Sequence, residues 1–399
     1  MNVAIITPGI LPVPSVKGGA VETLIDYYLS ENEHTHNIKF FVFSKYDEEA
    51  ESKSKSKEYN SCNFIYFKPD SIYHKIKRYL YKKIHKNSYY NYYMDYYERW
   101  AVNKIKRLDI NLIIIENRQG FTLNASKKLN APIILHLHND TLNRESLCAS
   151  EIVKCCSKII AVSNYIKKQV DSIDKDTNCS VVYNGIDLDR FNNTSNIYSR
   201  ERFSLDDDDF VVIYTGRITH IKGIKELINA FMLLSDYPKI KLIVSGSSNF
   251  GNDDSYDSFS EEIKQMAKKV DSQIFFTGYI PYNNIPSLLS IADIGIIPSI
   301  CEDALTLSSI EDMASGLPLI VTRSGGIPEA VDEKCAIIID KDNLEDLPKL
   351  IADSIIYLFK HPEKRIEMSK HALERSKLFS KENYIKKIIQ IVNSYLPTK

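Results

Sequence analysis

Short apolar runs recur along the whole chain, each of about five residues and each followed by a turn-rich stretch and then a helical spacing of apolar positions. In the first half, Val3 to Thr7, Lys39 to Ser44, Asn63 to Phe67, Asn111 to Glu116, Pro132 to Leu137, Lys158 to Ser163 and Ser180 to Tyr183 read as strands. Val21 to Leu29 reads as a helix, and Ser163 is a candidate cap for a second one. The second half repeats the alternation. Strands are predicted over Val211 to Tyr214, Lys241 to Ser245, Gln273 to Thr277, Ile294 to Pro298 and Leu317 to Thr322, with helices over Lys225 to Leu234, Glu261 to Val270, Ile285 to Ile291 and Leu307 to Ser315, the last ending at Gly316. From Leu344 to Leu396 the pattern is mostly helical, closing on an amphipathic segment with Ile388, Ile389, Val392 and Leu396. Strands alternating with helices imply parallel sheets covered on both faces. The expected fold class is therefore α/β, as two doubly wound parallel-sheet domains facing one another across a cleft. The charged stretch ESKSKSKEYN reads as a solvated loop. The polar stretch Asn192 to Asp209 has no apolar period and marks the join between domains, placed at 1–186 and 187–379, with a C-terminal helix of 380–399 packing back on the first.

Composition narrows the class. A chain of 399 residues is too long for one ordinary core and suits two domains. A net charge of -1 and 44% hydrophobic residues argue against a disordered, fibrous or nucleic-acid-coating protein. Seven cysteines without a CxxC pair indicate neither a disulfide framework nor a zinc cluster, and fit a reducing compartment. The start MNVAIITPGI lacks a charged leader, and no run reaches about 18 consecutive apolar residues. The expected location is cytoplasmic, at the inner face of a membrane if Tyr73 to Arg107 binds there. That segment carries ten Lys and Arg against Asp95 and Glu98, with nine tyrosines and Trp100. Two readings of it stand: contact with an anionic membrane surface, or surface helices whose tyrosines pack on a sheet.

Candidate chemistry gathers at the ends of the strands. The loop after the first strand ends in Gly18 and Gly19 and leads into a helix, as in a phosphate-binding unit. It is far too long for the GxGxxG fingerprint of a NAD dehydrogenase. Arg217 and Lys222, between a strand and a helix, suit a diphosphate. Further anion-friendly loops are Gly278 with Tyr279, Thr306 to Ser308, and Ser324 to Gly326. His138 ends a strand and would face the cleft. Asp303 and Glu311, a loop and a helix apart, could act as acid and base or hold sugar hydroxyls. Asp206 to Asp209 read as a solvated loop or, less simply, as a metal site.

Taken together, YNGIDLDRF, YTGRITHIKG, FTGYIPYNNIPSLLSIADIGIIPS and EDALTLSSIEDMASGLPLIVTRSGGIPE resemble the retaining nucleotide-sugar glycosyltransferases of family four. By HLHND, and by GSSNFGNDD after a strand, the chain looks most like the enzymes of bacterial surface-polysaccharide assembly, such as capsule or lipopolysaccharide, and the spore-coat-associated branch. The resemblance implies the GT-B fold, two Rossmann-like domains, with the nucleotide sugar held by the second and the acceptor by the first. It places Arg217 and Lys222 in the diphosphate clamp, and Gly18 and Gly19 in a loop closing over the phosphate. His138 falls near the donor sugar, and Tyr279 and Ile280 in the segment that holds the base. In the paired-carboxylate motif Asp303 would contact sugar hydroxyls and Glu311 the ribose, with Thr306, Leu307 and Ser308 at the phosphate. This chain departs from the family pattern there: Asp303 replaces a glutamate, Glu302 precedes it, and Ala304, Leu305 and Thr306 replace Pro-Phe-Gly.

The implied reaction is transfer of a sugar, with retention, from a UDP-sugar to a glycan or lipid-linked acceptor. It uses no cofactor and no metal, because cations and helix N–H groups stabilise the departing diphosphate. Two alternatives remain open at this point: a degenerate partner protein that binds a nucleotide sugar without turnover, and a phosphorylase or epimerase on the same fold.

Overall fold

The computed structural model describes residues 1–35, 38–68, 92–192, 197–247 and 258–395. Residues 73–91 of the basic, tyrosine-rich segment thus lie outside the described residues. The chain divides into two compact units, Met1–Tyr183 with Tyr384–Lys399, and Asn184–Asn383.

The first unit holds β1 (Asn2–Ile6), β2 (Lys39–Lys45), β3 (Cys62–Phe67), β4 (Leu112–Glu116), β5 (Ile133–Leu137), β6 (Lys158–Ala161) and β7 (Cys179–Val181), all parallel, in the order β3-β2-β1-β4-β5-β6-β7. Ile5 pairs laterally with Val42 on one side and Ile114 on the other. Strands buried on both faces become continuous apolar runs, which is why they were legible. Strand order reverses direction between β1 and β4, and ligands of such sheets bind at the strand C-termini beside that reversal. Leu24, Tyr28, Phe40 and Ile134 form the core with Tyr384, Ile385, Ile388 and Val392 of the final helix, Lys381–Asn393.

The second unit holds β8 (Phe210–Thr215), β9 (Ile240–Ser245), β10 (Ile274–Gly278), β11 (Ile294–Ile297), β12 (Leu319–Thr322) and β13 (Ala336–Ile339), also parallel, in the order β10-β9-β8-β11-β12-β13. Its reversal lies between β8 and β11. The helices Ile224–Met232 and Leu347–Lys360 cover one core face through Leu227, Phe231, Ile351 and Ile355.

Several expectations change. ESKSKSKEYN is not simply a solvated loop. Its start belongs to the helix Glu48–Lys53, capped by Asp47, whose side chain accepts from the N–H groups of Glu49 and Ala50, and Tyr59 is buried. A short helix buried through one alanine leaves no apolar period to read. β13 is not among the predicted strands, because its four apolar residues between Cys335 and Asp340 carry no period of their own. The described part of Asn192–Asp209 belongs wholly to the second unit: Ser287 Oγ accepts from the N–H groups of Ile197 and Tyr198, and Arg200 reaches Asp293 at 2.9 Å. Lys239 lies 3.0 Å from Asp206 and 2.9 Å from Asp208, so the aspartate run is an acidic turn partly offset by one lysine.

In the helix Tyr92–Ile105, Tyr97 is fully buried, donates its hydroxyl to the Phe43 carbonyl at 2.5 Å and lies 3.0 Å from Thr7 Oγ1. Tyr93, Tyr96, Tyr97 and Trp100 surround Phe67 at ring separations of 5.2 to 5.7 Å. The described end of the tyrosine-rich segment therefore uses its rings for packing. No helix among the described residues is long and apolar enough to cross a membrane.

Candidate active site

In the second unit, the chain leaves β8 into a loop that carries Arg217 and Lys222. Tyr214 Oη donates to the Arg217 carbonyl at 2.7 Å and Ile218 N–H to the Ser247 carbonyl at 3.1 Å, which fixes the loop while the Arg217 side chain is exposed. A tight turn His220–Lys222 follows, and Gly223, at φ 70°, starts the helix Ile224–Met232. A Cβ at Gly223 would overlap the Pro298 carbonyl oxygen. Glycine there lets the loop after β8 lie on the loop after β11, where the N–H groups of Ile300 and Cys301 both donate to the Ile221 carbonyl, at 3.1 and 3.3 Å.

This close approach puts Lys222 Nζ 2.5 Å from Asp303 Oδ1, with 18% and 14% of the side chains exposed. Asp303 Oδ2 is buried without a hydrogen-bond partner among the described residues. The Asp303 carbonyl accepts from Gly326 N–H at 2.6 Å, and a side chain at Gly325 would overlap that same carbonyl. Ser324 Oγ donates to the Cys301 carbonyl. The neighbouring acid is spoken for: Glu302 meets Lys341 at 2.6 Å and accepts from Gly325 N–H. Both Glu302 oxygens thus have partners, whereas Asp303 Oδ2 has none among the described residues.

Three residues on, the helix Leu307–Ala314 begins. Thr306 stands at its cap position, but its hydroxyl donates to Ser309 Oγ at 3.0 Å, and Ser309 Oγ donates to the Thr306 carbonyl at 2.7 Å. The cap side chain takes none of the first-turn N–H groups, so those around Leu307 and Ser308 stay open to an anion. Glu311, one turn on, is buried. Burial pushes its carboxyl up to about 7, against a hydrogen bond from Tyr282 and the charge of Arg190, which pull it down. Arg190 sits 4.3 Å from the centre of the Tyr282 ring and donates to Asn283 at 2.6 Å. Asp312 is deeper, packed where Gly295 on β11 leaves room, and burial holds it well above the usual carboxylate range. Tyr279 is half-buried, while the Ile280 side chain is buried.

In the first unit, Gly18 and Gly19 sit at φ 73° and 100° just before the helix Ala20–Thr35. Ser15 Oγ donates to the Gly18 carbonyl at 3.2 Å, and a side chain at Gly19 would overlap the Glu22 carboxyl, itself pushed up to about 7 by burial. His138 follows β5, its side chain only 6% exposed, with Nε2 3.0 Å from Glu116 Oε2. His136 Nδ1 lies 3.0 Å from the same oxygen, and Tyr28 Oη donates to Glu116 Oε1 at 3.1 Å. Burial alone would raise the Glu116 carboxyl. The two imidazoles overcome it and hold the group down at about 2.

Spore coat protein SA of Bacillus subtilis is 24% identical to this chain over 387 residues, covering 93% of each. The lipopolysaccharide 1,2-N-acetylglucosaminetransferase of Salmonella typhimurium is 24% identical over 280 residues, covering 68% of this chain and 72% of that one. The crystal structure of Anabaena Alr3699/HepE in complex with UDP-glucose matches 99% of this chain and 100% of its own, with a TM-score of 0.74 at 18% identity. Residues 36–190 match the model of glycosyltransferase family 4 and residues 197–375 that of glycosyl transferases group 1. The chain is a family-four glycosyltransferase of the GT-B fold.

In this glycosyltransferase the sequence-predicted residues fall into local groups. Lys222, Asp303 and the Ser324–Gly326 turn meet directly, and Thr306, Leu307 and Ser308 open the helix that carries Glu311. Arg217 shares the Lys222 loop. Gly18, Gly19 and His138 belong to the first unit. His138, expected at a strand end, has its ring largely buried there with Nε2 against Glu116. Glu116, His136, Tyr28, Arg190, Tyr282 and Asp312 were missed. One signal was available, since His136 and His138 are two apart at a strand end and therefore on one face.

Gly223→Ala tests how the two loops are held. It combines a left-handed backbone with overlap on a carbonyl, so the expected result is a loss of about 2 kcal/mol or more in stability, read by denaturant melts, and loss of the Lys222–Asp303 pair. A melt unchanged from the parent would contradict the close approach.

Proposed function

We propose that this glycosyltransferase moves a hexosyl group, with retention and without a metal ion or cofactor, from a UDP-sugar to a glycan or lipid-linked acceptor in bacterial surface-polysaccharide assembly. The observation that carries this reading is the Lys222–Asp303 pair at the β8/β11 reversal, beside an uncapped helix N-terminus. A cation and open N–H groups suit a diphosphate, and a half-free carboxylate beside them suits the hydroxyls of the attached sugar. The names of the relatives support a donor of the UDP class and a surface glycan as acceptor.

In the reaction the bond from the anomeric carbon to the β-phosphate oxygen breaks, and the acceptor hydroxyl oxygen bonds to that carbon on the same face. Its proton passes to the departing phosphate oxygen. Arg217, Lys222 and the first-turn N–H groups near Leu307 stabilise the charge that develops on the diphosphate, so no side-chain nucleophile is needed. Glu311 accepts hydrogen bonds from the ribose hydroxyls.

A donor panel tests the reading. UDP-sugars are expected to raise the melting temperature and to be turned over in the presence of a chelator, with the product keeping the donor's anomeric configuration by NMR. UDP binding without turnover of any donor would favour the partner-protein alternative, for which the altered Ala304-Leu305-Thr306 segment speaks. A requirement for free phosphate would mark a phosphorylase. Contact of Tyr73 to Arg107 with an anionic membrane belongs to the same proposal. Its expected sign is flotation with acidic liposomes that weakens with salt and is lost when the lysines of this segment are replaced.

A further inference from the structure

β4 and β5 are neighbours, and Glu116 and His136 are laterally paired at their C-terminal ends. His138, two residues on, turns to the same side, so one carboxylate meets two imidazoles and the Tyr28 hydroxyl. Only 1% of the Glu116 side chain is exposed, and all three partners are short-range hydrogen-bond contacts. An ionised carboxylate only accepts hydrogen bonds, so each nitrogen facing it carries a proton. On His138 that nitrogen is Nε2. Burial and the neighbouring His136 ring push the His138 imidazole down to about 4, against the pull of Glu116, so near neutral pH the ring holds one proton. The second nitrogen, Nδ1, then carries a lone pair, and no hydrogen bond among the described residues uses it.

We propose that Glu116 is a positioning residue that locks His138 as the Nε2–H tautomer, so that Nδ1 is kept as a hydrogen-bond acceptor for the substrate. This rests on the reading of His138 as the histidine near the donor sugar. It adds a direction: the group His138 recognises must itself donate, which a sugar hydroxyl does and a phosphate oxygen or carboxylate does not. His138 thereby selects for a hydroxyl and contributes nothing to holding the diphosphate.

The test is nitrogen NMR on full-length protein labelled with 15N-histidine, the His138 signals being assigned by their loss in His138→Gln. The expected wild-type spectrum shows Nε2 protonated and Nδ1 bare. In Glu116→Leu the ring is expected to populate both tautomers, and kcat/KM for sugar transfer to fall about tenfold, the worth of one hydrogen bond, with UDP affinity unchanged. Glu116→Gln can turn its amide oxygen to the imidazoles and its NH2 to Tyr28, so it is expected to restore the Nε2–H form and most of the lost rate.

A wild-type His138 protonated on Nδ1 would overturn the proposal, as would a rate loss in Glu116→Leu with the tautomer unchanged, which marks a structural role only. A stoichiometric metal ion found on the purified protein by elemental analysis would overturn it too, because an ion at that carboxylate displaces the imidazole protons. The wild-type spectrum decides even if Glu116→Leu fails to fold. Absence of turnover with every donor defeats the transferase reading instead, and leaves the spectrum to stand by itself.

Discussion

Lys222→Ala is expected to lower turnover of a nucleotide sugar by about 100- to 1000-fold while leaving the protein folded. Two effects add in the same direction. The variant loses a preorganised cation where charge builds up on the departing diphosphate. It also strips Asp303 of the ammonium 2.5 Å away, leaving an uncompensated carboxylate beside the phosphates. UDP affinity therefore falls along with kcat. Because part of the loss is repulsion from Asp303, Asp303→Asn introduced on top of Lys222→Ala should recover UDP affinity, measured calorimetrically. The same change in the parent removes a contact that donor and lysine both use. Strict additivity of the two substitutions would contradict a direct pair between them.

Glu311→Gln has the second large effect, and its signature is in pH. The buried Glu311 carboxyl sits at about 7 in the folded protein against an ordinary 4.5. The folded chain holds this proton more tightly than the unfolded one. Its contribution to stability is therefore fully present below about 4.5 and is lost as pH rises toward 7. Ribose hydroxyls, by contrast, favour the ionised form, which accepts from both. UDP affinity should rise with pH up to the Glu311 value, by at most about tenfold per pH unit, and level off above it. In Glu311→Gln affinity at alkaline pH should drop by about 10- to 100-fold, and the Glu311 part of the pH dependence should vanish. The unliganded variant should melt higher than the parent at that pH, since no buried charge has to form. If parent and variant have parallel pH profiles for UDP, Glu311 is not the group that titrates at the ribose.

These two predictions show where reading the chain sufficed and where it did not. Lys222, Asp303 and Glu311 were legible because strand-end loops and a helix start have local signatures: an apolar run, a turn, a glycine, then a 3.6-residue period. Their partners were not. Arg190 precedes Tyr282 by some 90 residues of chain and Tyr28 precedes Glu116 by a similar stretch, so no window of sequence contains both members of either group. Glu302 and Asp303 look interchangeable on paper. Lys341 and the Gly325 N–H separate them, and both come from beyond the next strand. The aspartate run was ambiguous for the same reason, since its ion-pair partner Lys239 arrives from just before β9.

The sequence by itself determined the α/β class, the two halves, nearly every strand, and the loops that would carry charge, because each of these depends on hydrophobic period and turn chemistry within about ten residues. Tertiary structure decided the state of each functional group. It made Lys222 and Asp303 a pair, through a glycine that lets two loops touch, and raised Glu311 by burying it. It also turned two strand-end histidines and a glutamate on the adjacent strand into one hydrogen-bonded cluster. Protonation and tautomer follow from burial and from neighbours brought in by sheet order, and sheet order is not written in any local run of residues.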